Sequence, residues 1–142
     1  MAIDIWRLAP GDESILDCVA DEVFDEPIDP VRRAAYLSAP GHHMVVAVHD
    51  GEVVGQVAAV VHRHPNKPSE LFIDEVGVAP AFQRQGIARG LLDAMLALGK
   101  ELGCAEAWVG TETDNVPARR LYESFGAKAE TFLMYTYDLE TR

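Results

Sequence analysis

Between Ile73 and Ala88 the chain reads Ile-Asp-Glu-Val-Gly-Val-Ala-Pro-Ala-Phe-Gln-Arg-Gln-Gly-Ile-Ala, a stretch with the residue types needed to hold a phosphate. An apolar strand runs into a turn, Gln83-Arg84-Gln85-Gly86-Ile87-Ala88, and the turn opens a helix. At such a junction successive backbone N–H groups point outward beside the positive end of the helix dipole, which suits an anion. Gly86 lets the backbone approach that anion closely, small Ala88 leaves room beside it, and Arg84 adds positive charge at the rim. The ligand expected here is a nucleotide-type cofactor.

Two further groups are able to move protons. Glu75 is a carboxylate inside an otherwise apolar strand, a costly placement unless the group is paired or used. Burial would raise its pKa toward a value useful in a base. Strand alternation turns its neighbour Asp74 to the other face. An ion pair inside the fold is the competing use for both. The second group lies in Thr111 to Phe125, Thr-Glu-Thr-Asp-Asn-Val-Pro-Ala-Arg-Arg-Leu-Tyr-Glu-Ser-Phe, followed by Gly126. There Ala118 and Tyr122 are four apart and share a helical face. The Tyr122 phenol either fills a core with one hydrogen bond or serves as an acid. Asn115 either caps the helix or bonds a ligand.

Together the two segments resemble the Gcn5-related N-acetyltransferase (GNAT) superfamily, in order and spacing, over His43 to Leu139. The resemblance implies acetyl-coenzyme A as cofactor and a mixed, mostly antiparallel central sheet flanked by helices. It implies that the Gln83 to Ala88 amides (Gln83, Arg84, Gln85, Gly86, Ile87, Ala88) take the pyrophosphate. It also implies that Val76, Gly77 and Val78 bond the pantetheine arm through their backbone, where the fourth strand splays from the fifth. Asn115 and Ala118 would join that contact, Glu75 would be the base, directly or through water, and Tyr122 the acid for the departing thiolate.

A closer likeness is to small, single-domain aminoglycoside 3-N-acetyltransferases. It rests on Phe24-Asp25-Glu26, the acid within Asp74-Glu75-Val76-Gly77-Val78, the Gln-Arg-Gln-Gly-Ile-Ala turn and Thr-Asp-Asn-x-Pro-Ala-x-x-Leu-Tyr. The chain departs from that group at Glu75, where Asp is typical, and in the run before Asn115. Its final segment, Met134-Tyr135-Thr136-Tyr137-Asp138, lacks the expected histidine. The position of the acetylated amine therefore stays open, as does the antibiotic. On this likeness Asp25, Glu26, Asp74, Glu112 and Asp114 are the candidate substrate-binding acids. Other polyamines, an amino acid or a protein N-terminus remain alternative acceptors, and a non-catalytic acetyl-CoA sensor is a further reading. Homodimers are common in similar enzymes.

Several elements must position these groups. Ile3 to Leu8 alternates as a first strand, and Asp12 is expected to cap a helix reaching about Val23. After a loop holding Pro27 and Pro30, Asp29 caps a helix over Val31 to Leu37, with Pro30 at its first position. Met44 to Val48 and Glu52 to His62 form a hairpin around His49-Asp50-Gly51. Leu71 to Val78 is a central strand. Ile87 to Leu102 is a helix with Ile87, Leu91, Met95, Leu98 and Leu102 along one stripe, stopped by Gly103. Ala107 to Gly110 is a short strand and Pro117 to Phe125 a helix. Lys128 to Leu139, rich in Thr, Tyr and Phe, is expected to supply one or two final strands. The whole, residues 1–142, reads as a single α/β domain.

A chain of 142 residues builds a core without metal or disulfide staples, so Cys18 and Cys104 are expected as two reduced, buried thiols. His42, His43, His49, His62 and His64 contain no i, i+4 pair, so no metal is expected, and His43 is a pocket candidate. No apolar run reaches spanning length and the start lacks a secretory pattern, which points to the cytoplasm. A net charge of −11 argues against nucleic acid or an acidic membrane as partner. It fits a cationic small-molecule amine, or simply a soluble surface.

Overall fold

The computed structural model describes residues 2–141, which form two compact units, the first ending at Gly110 and the second starting at Thr111. In the first, β1 (Asp4–Arg7), β2 (His42–His49), β3 (Glu52–His62), β4 (Glu70–Val78) and β5 (Glu106–Val109) make one sheet in that order. Neighbours are antiparallel except β4 and β5, which are parallel. A parallel pair needs a crossover, and helix α2 (Ile87–Glu101) supplies it. The fold is thus the mixed, mostly antiparallel α/β sheet expected.

Local chemistry accounts for most boundaries. Between β2 and β3, Asp50 and Gly51 have φ of 49° and 78°. Two left-handed residues in a two-residue loop make the hairpin turn that matches strand twist, and Asp-Gly tolerates it best. Helix α1 (Pro30–Ser38) starts as expected: the Asp29 carboxylate accepts the Arg32 N–H at 2.8 Å, and Pro30 fills the first position.

Helix α2 covers one face of the sheet. Ile87, Leu91, Met95 and Gly99 recur every fourth residue and are buried, whereas Leu102, expected on the stripe, is 40% exposed. Two glycines permit the close approach. A Cβ on Gly55 of β3 would stand 3.1 Å from Leu91, and one on Gly99 would stand 2.8 Å from Leu71 of β4. Burying side chains such as Leu71 and Leu91 contributes about 1.5–3 kcal/mol each. The opposite face carries Met44 and Ala58, packed with Leu16, Val23, Phe24, Ile28 and Tyr36.

Three expectations fail. No helix spans Asp12 to Val23; only a 3-10 turn forms, over Glu13–Asp17. The Asp12 carboxylate does not cap it but accepts the Ala9 N–H at 2.9 Å. Past the turn, Val53 donates its N–H to the Cys18 carbonyl and accepts from the Ala20 N–H, each at 2.9 Å. That single parallel bridge, Val19 to Val53, holds residues 18–20 extended and forbids a helix through them. The two cysteines are free but not buried, since Cys18 is exposed and Cys104 half-buried.

In the second unit α3 (Val116–Ser124) forms as expected, closed by Gly126 at φ 87°. The third failure is here: among the described residues, 127–141 hold no strand or helix. Aromatic, β-branched composition favours a strand only where a ladder partner exists, and the described strands offer these residues none.

Gly77 of β4 is fixed by packing: a Cβ there would lie 2.4 Å from the Val23 carbonyl oxygen. A backbone atom cannot yield as a flexible side chain does. Gly77→Ala should therefore lower stability by about 1–3 kcal/mol, read as a lower urea midpoint at unchanged slope.

Candidate active site

The site is organised by where β5 stops. The β4–β5 ladder joins Glu70–Ile73 to Glu106–Val109 and goes no further, while β4 continues to Val78 paired with β3. Past Ile73, among the described residues, no strand pairs the β5-facing edge of β4, the kind of edge an extended ligand can pair with. Val76, Gly77 and Val78 lie on this stretch, beyond the last residue paired with β5.

At the end of β4 the chain makes a short 3-10 turn, Pro80–Phe82, and enters α2. The Gln83 side chain ties the turn to the strand by donating to the Val78 carbonyl at 3.1 Å, and Gln85 donates to that of Ala81 at 3.3 Å. Gln83 also spends its backbone N–H on the Pro80 carbonyl at 3.4 Å, so the amides left for an anion begin after it. Arg84 and Gly86 are both left-handed, at φ 63° and 81°. Gly86 is the N-cap of α2, and a Cβ on it would meet nothing within 4 Å. Open space above a left-handed glycine, beside the unpaired first-turn amides of Ile87 and Ala88, fits a phosphate group.

The carboxylates gather on the face of β4 opposite α2. One residue too many stands in β4 between the pairs Ile73–Ala59 and Glu75–Ala58, a bulge at Asp74. Strict alternation would have sent Asp74 to the far face. Instead the bulge resets the strand, and the charges of both Asp74 and Glu75 reach the Tyr36 phenol of α1. Burial, then these two acids, push the Tyr36 pKa well above its ordinary value. Its hydroxyl donates to the His43 carbonyl at 3.1 Å, and burial lowers the pKa of the His43 ring.

Glu75 is half-buried, and burial followed by the charges of Asp25 and Asp74 raises its pKa. Hydrogen bonding from Gln56 opposes that rise. Gln56 is fully buried, pairs with Gly77 across the β3–β4 ladder and donates to the Val23 carbonyl at 3.3 Å. It therefore links Glu75 to the loop that carries Asp25. Its Oε1 has no partner among the described residues. Sequence reasoning missed Gln56 and Tyr36. A lone amide inside the apolar run Val53–Val61 was the available signal for the first. Asp25 is thus brought to Glu75, whereas Glu26 is exposed.

A cavity of about 440 Å³ also opens beside β3 and β4, lined by Pro40, Val60, His62, Phe72 and Trp108 among others. The residues that line it include no carboxylate.

The second unit carries Glu112, Asp114, Asn115, Ala118 and Tyr122. Asn115 caps α3, its Oδ1 accepting the Ala118 N–H at 3.2 Å. The Glu112 and Asp114 carbonyls accept the N–H groups of Asn115 and Val116, at 3.1 and 3.0 Å, and both side chains face solvent. Tyr122 is half-buried on α3, and burial raises its pKa, so its proton is retained at neutral pH.

Gly86→Val would force a β-branched residue to φ 81°, a strain of about 1–2 kcal/mol, and fill the space above the cradle. Affinity for acetyl-CoA, measured by calorimetric titration, should fall at least tenfold. Unchanged affinity would place the phosphate elsewhere.

Known proteins match this arrangement. The model of the acetyltransferase (GNAT) family matches residues 6–127. An uncharacterised N-acetyltransferase of Mycobacterium tuberculosis is 30% identical over 104 residues, 73% of this chain and 64% of the relative. The N-alpha-acetyltransferase RimI of the same organism is 33% identical, over 73% and 63%. The chain thus spans just under two thirds of the length of these relatives. Among solved structures, an aminoglycoside acetyltransferase from an uncultured soil metagenomic sample superposes with a TM-score of 0.81 at 24% identity, covering 97% of this chain and 99% of that one. With a β4 edge that runs on past the β5 ladder, a glycine-opened helix and a family model that matches most of the chain, the chain belongs to the GNAT acetyltransferase family, whose enzymes use acetyl-CoA.

Proposed function

We propose that residues 1–142 act as one acetyl-CoA-dependent N-acetyltransferase domain whose acceptor is a cationic small molecule, an aminoglycoside being the best specific match. The observation that carries this reading is the convergence of Asp25 and Asp74 on Glu75, where burial first and then repulsion from the charges of these two acids raise the Glu75 pKa. A polycationic amine relieves that repulsion on binding and is oriented by it. The soil-derived structural relative is itself an aminoglycoside acetyltransferase.

Acetyl-CoA supplies the thioester. The backbone of Val76, Gly77 and Val78 holds its pantetheine arm, and the Arg84 to Ala88 amides with the Arg84 side chain hold its pyrophosphate. Glu75 accepts the proton that the amine loses as its nitrogen bonds the acetyl carbon, directly or through one water. As the carbon–sulfur bond breaks, Tyr122 gives its proton to the departing sulfur. Its raised pKa keeps that proton available across the neutral range.

A specific second reading is acetylation of a protein N-terminus, which the RimI relative favours. Thiol release from acetyl-CoA across aminoglycosides, spermidine, amino acids and an N-terminal peptide separates the two. Turnover with aminoglycosides supports the proposal, turnover confined to the peptide replaces the acceptor, and acetyl-CoA binding without turnover on any of them indicates a sensor.

Two substitutions test the roles. A base with a raised pKa works only once ionised, so the rate should climb with pH through that pKa. Glu75→Gln should remove this limb and lower turnover by about 10²-fold or more at neutral pH. An unaltered pH profile would assign the proton to another base. Tyr122→Phe should reduce kcat by about tenfold or more and leave the acetyl-CoA Kd nearly unchanged. Equal kcat in the variant would remove the acid role.

A further inference from the structure

We propose that His62, His64 and Glu70 form a binding site for a divalent transition metal, zinc being the best match. His62 ends β3 and Glu70 begins β4, and the two are direct partners across the ladder. His64 stands two residues beyond His62, in the loop that joins the strands. Its Nε2 meets the Glu70 carboxylate, and the two imidazole rings lie 4.2 Å apart. One donor atom from each of the three falls within 4.8 Å of the others. The side chains of His64 and Glu70 are only 14% and 19% exposed, so two of the three donors are held by packing and not free in solvent.

The donor set selects the ion. Two imidazole nitrogens and one carboxylate oxygen suit zinc, whereas calcium and magnesium prefer all-oxygen shells. Tetrahedral zinc at about 2.1 Å from each donor needs neighbouring donors about 3.4 Å apart. Binding therefore requires exposed His62 and the His64–Glu70 pair to rotate to that spacing from donors now within 4.8 Å of one another. Zinc then takes the place of the shared proton between His64 and Glu70, which is released, and water completes the fourth position. Lys67 is the built-in competitor: its ammonium stands 3.7 Å from Glu70 on a side chain that is 56% exposed. The bound ion would clip the ends of β3 and β4, the strands that carry Gln56 and Glu75. It is independent of the acetyl-transfer reading.

Calorimetric titration of the metal-free full chain with zinc chloride tests the site, and cobalt(II) reports its geometry through the intense visible absorption of a four-coordinate ion. One equivalent should bind, and His62→Ala, His64→Ala and Glu70→Gln should each weaken it at least tenfold. Lys67→Gln should tighten it, a gain that misfolding does not produce. His49, whose ring sits beside Asp50 at the far hairpin, serves as control, and His49→Ala should change nothing. Affinity unchanged in the three ligand variants, or lost equally in His49→Ala, would overturn the site and leave only surface histidines scavenging metal.

Discussion

Four residue pairs join β4 to β5, and everything functional in the first unit follows from that ladder ending at Ile73. A parallel strand that stayed paired would bury its peptide groups in the sheet. Beyond the β5 ladder, Asp74 to Val78 have a strand partner on one side only among the described residues, which leaves peptide groups on the other edge unpaired by a strand. The bulge falls at the first residue past the ladder. The strand is free to kink there because it is no longer clamped from both sides. The same kink lets two consecutive acids act on one face, which a regular strand cannot do.

The acid cluster is then a controlled conflict. Asp25, Asp74 and Glu75 repel one another, and a fold selected for stability alone would separate them. Gln56 holds them together instead: it is buried beside Gly77, donates to the loop at Val23 and hydrogen-bonds Glu75. Gly77 is small because that loop's carbonyl passes directly over it. Amide, glycine and loop pack as one unit beside Glu75.

Much of this was legible in the sequence because it depends on local rules. The strand–turn–helix from Ile73 to Ala88, the Asp50-Gly51 turn, the Asp29-Pro30 start of α1 and the stripe from Ile87 to Met95 each follow from a few adjacent residues. What failed depends on distant partners. Ile15, Leu16, Val19 and Val23 are spaced like a helix, yet the backbone of Val53 takes residues 18–20 for itself. Alternation put Asp74 on the wrong face because a bulge leaves no mark in composition. The His62–His64–Glu70 cluster escaped a search for helical spacing, since its members come from two strand ends and a loop. Lys128 to Leu139 has strand composition but no partner strand among the described residues.

The segment from Asp21 to Glu26 hangs on few fixings: the Val19–Val53 bridge before it, the buried Val23 side chain, and the Gln56 bond to its carbonyl. None of these depends on the side chains of Asp21, Glu22, Asp25 or Glu26. Substitutions at exposed Asp21 and Glu26 are therefore nearly additive with changes in the sheet, whereas Asp25, whose charge acts on Glu75, is coupled to β4. Such a division lets exposed charges at the tip of the loop change without rebuilding the β4 edge or the start of α2.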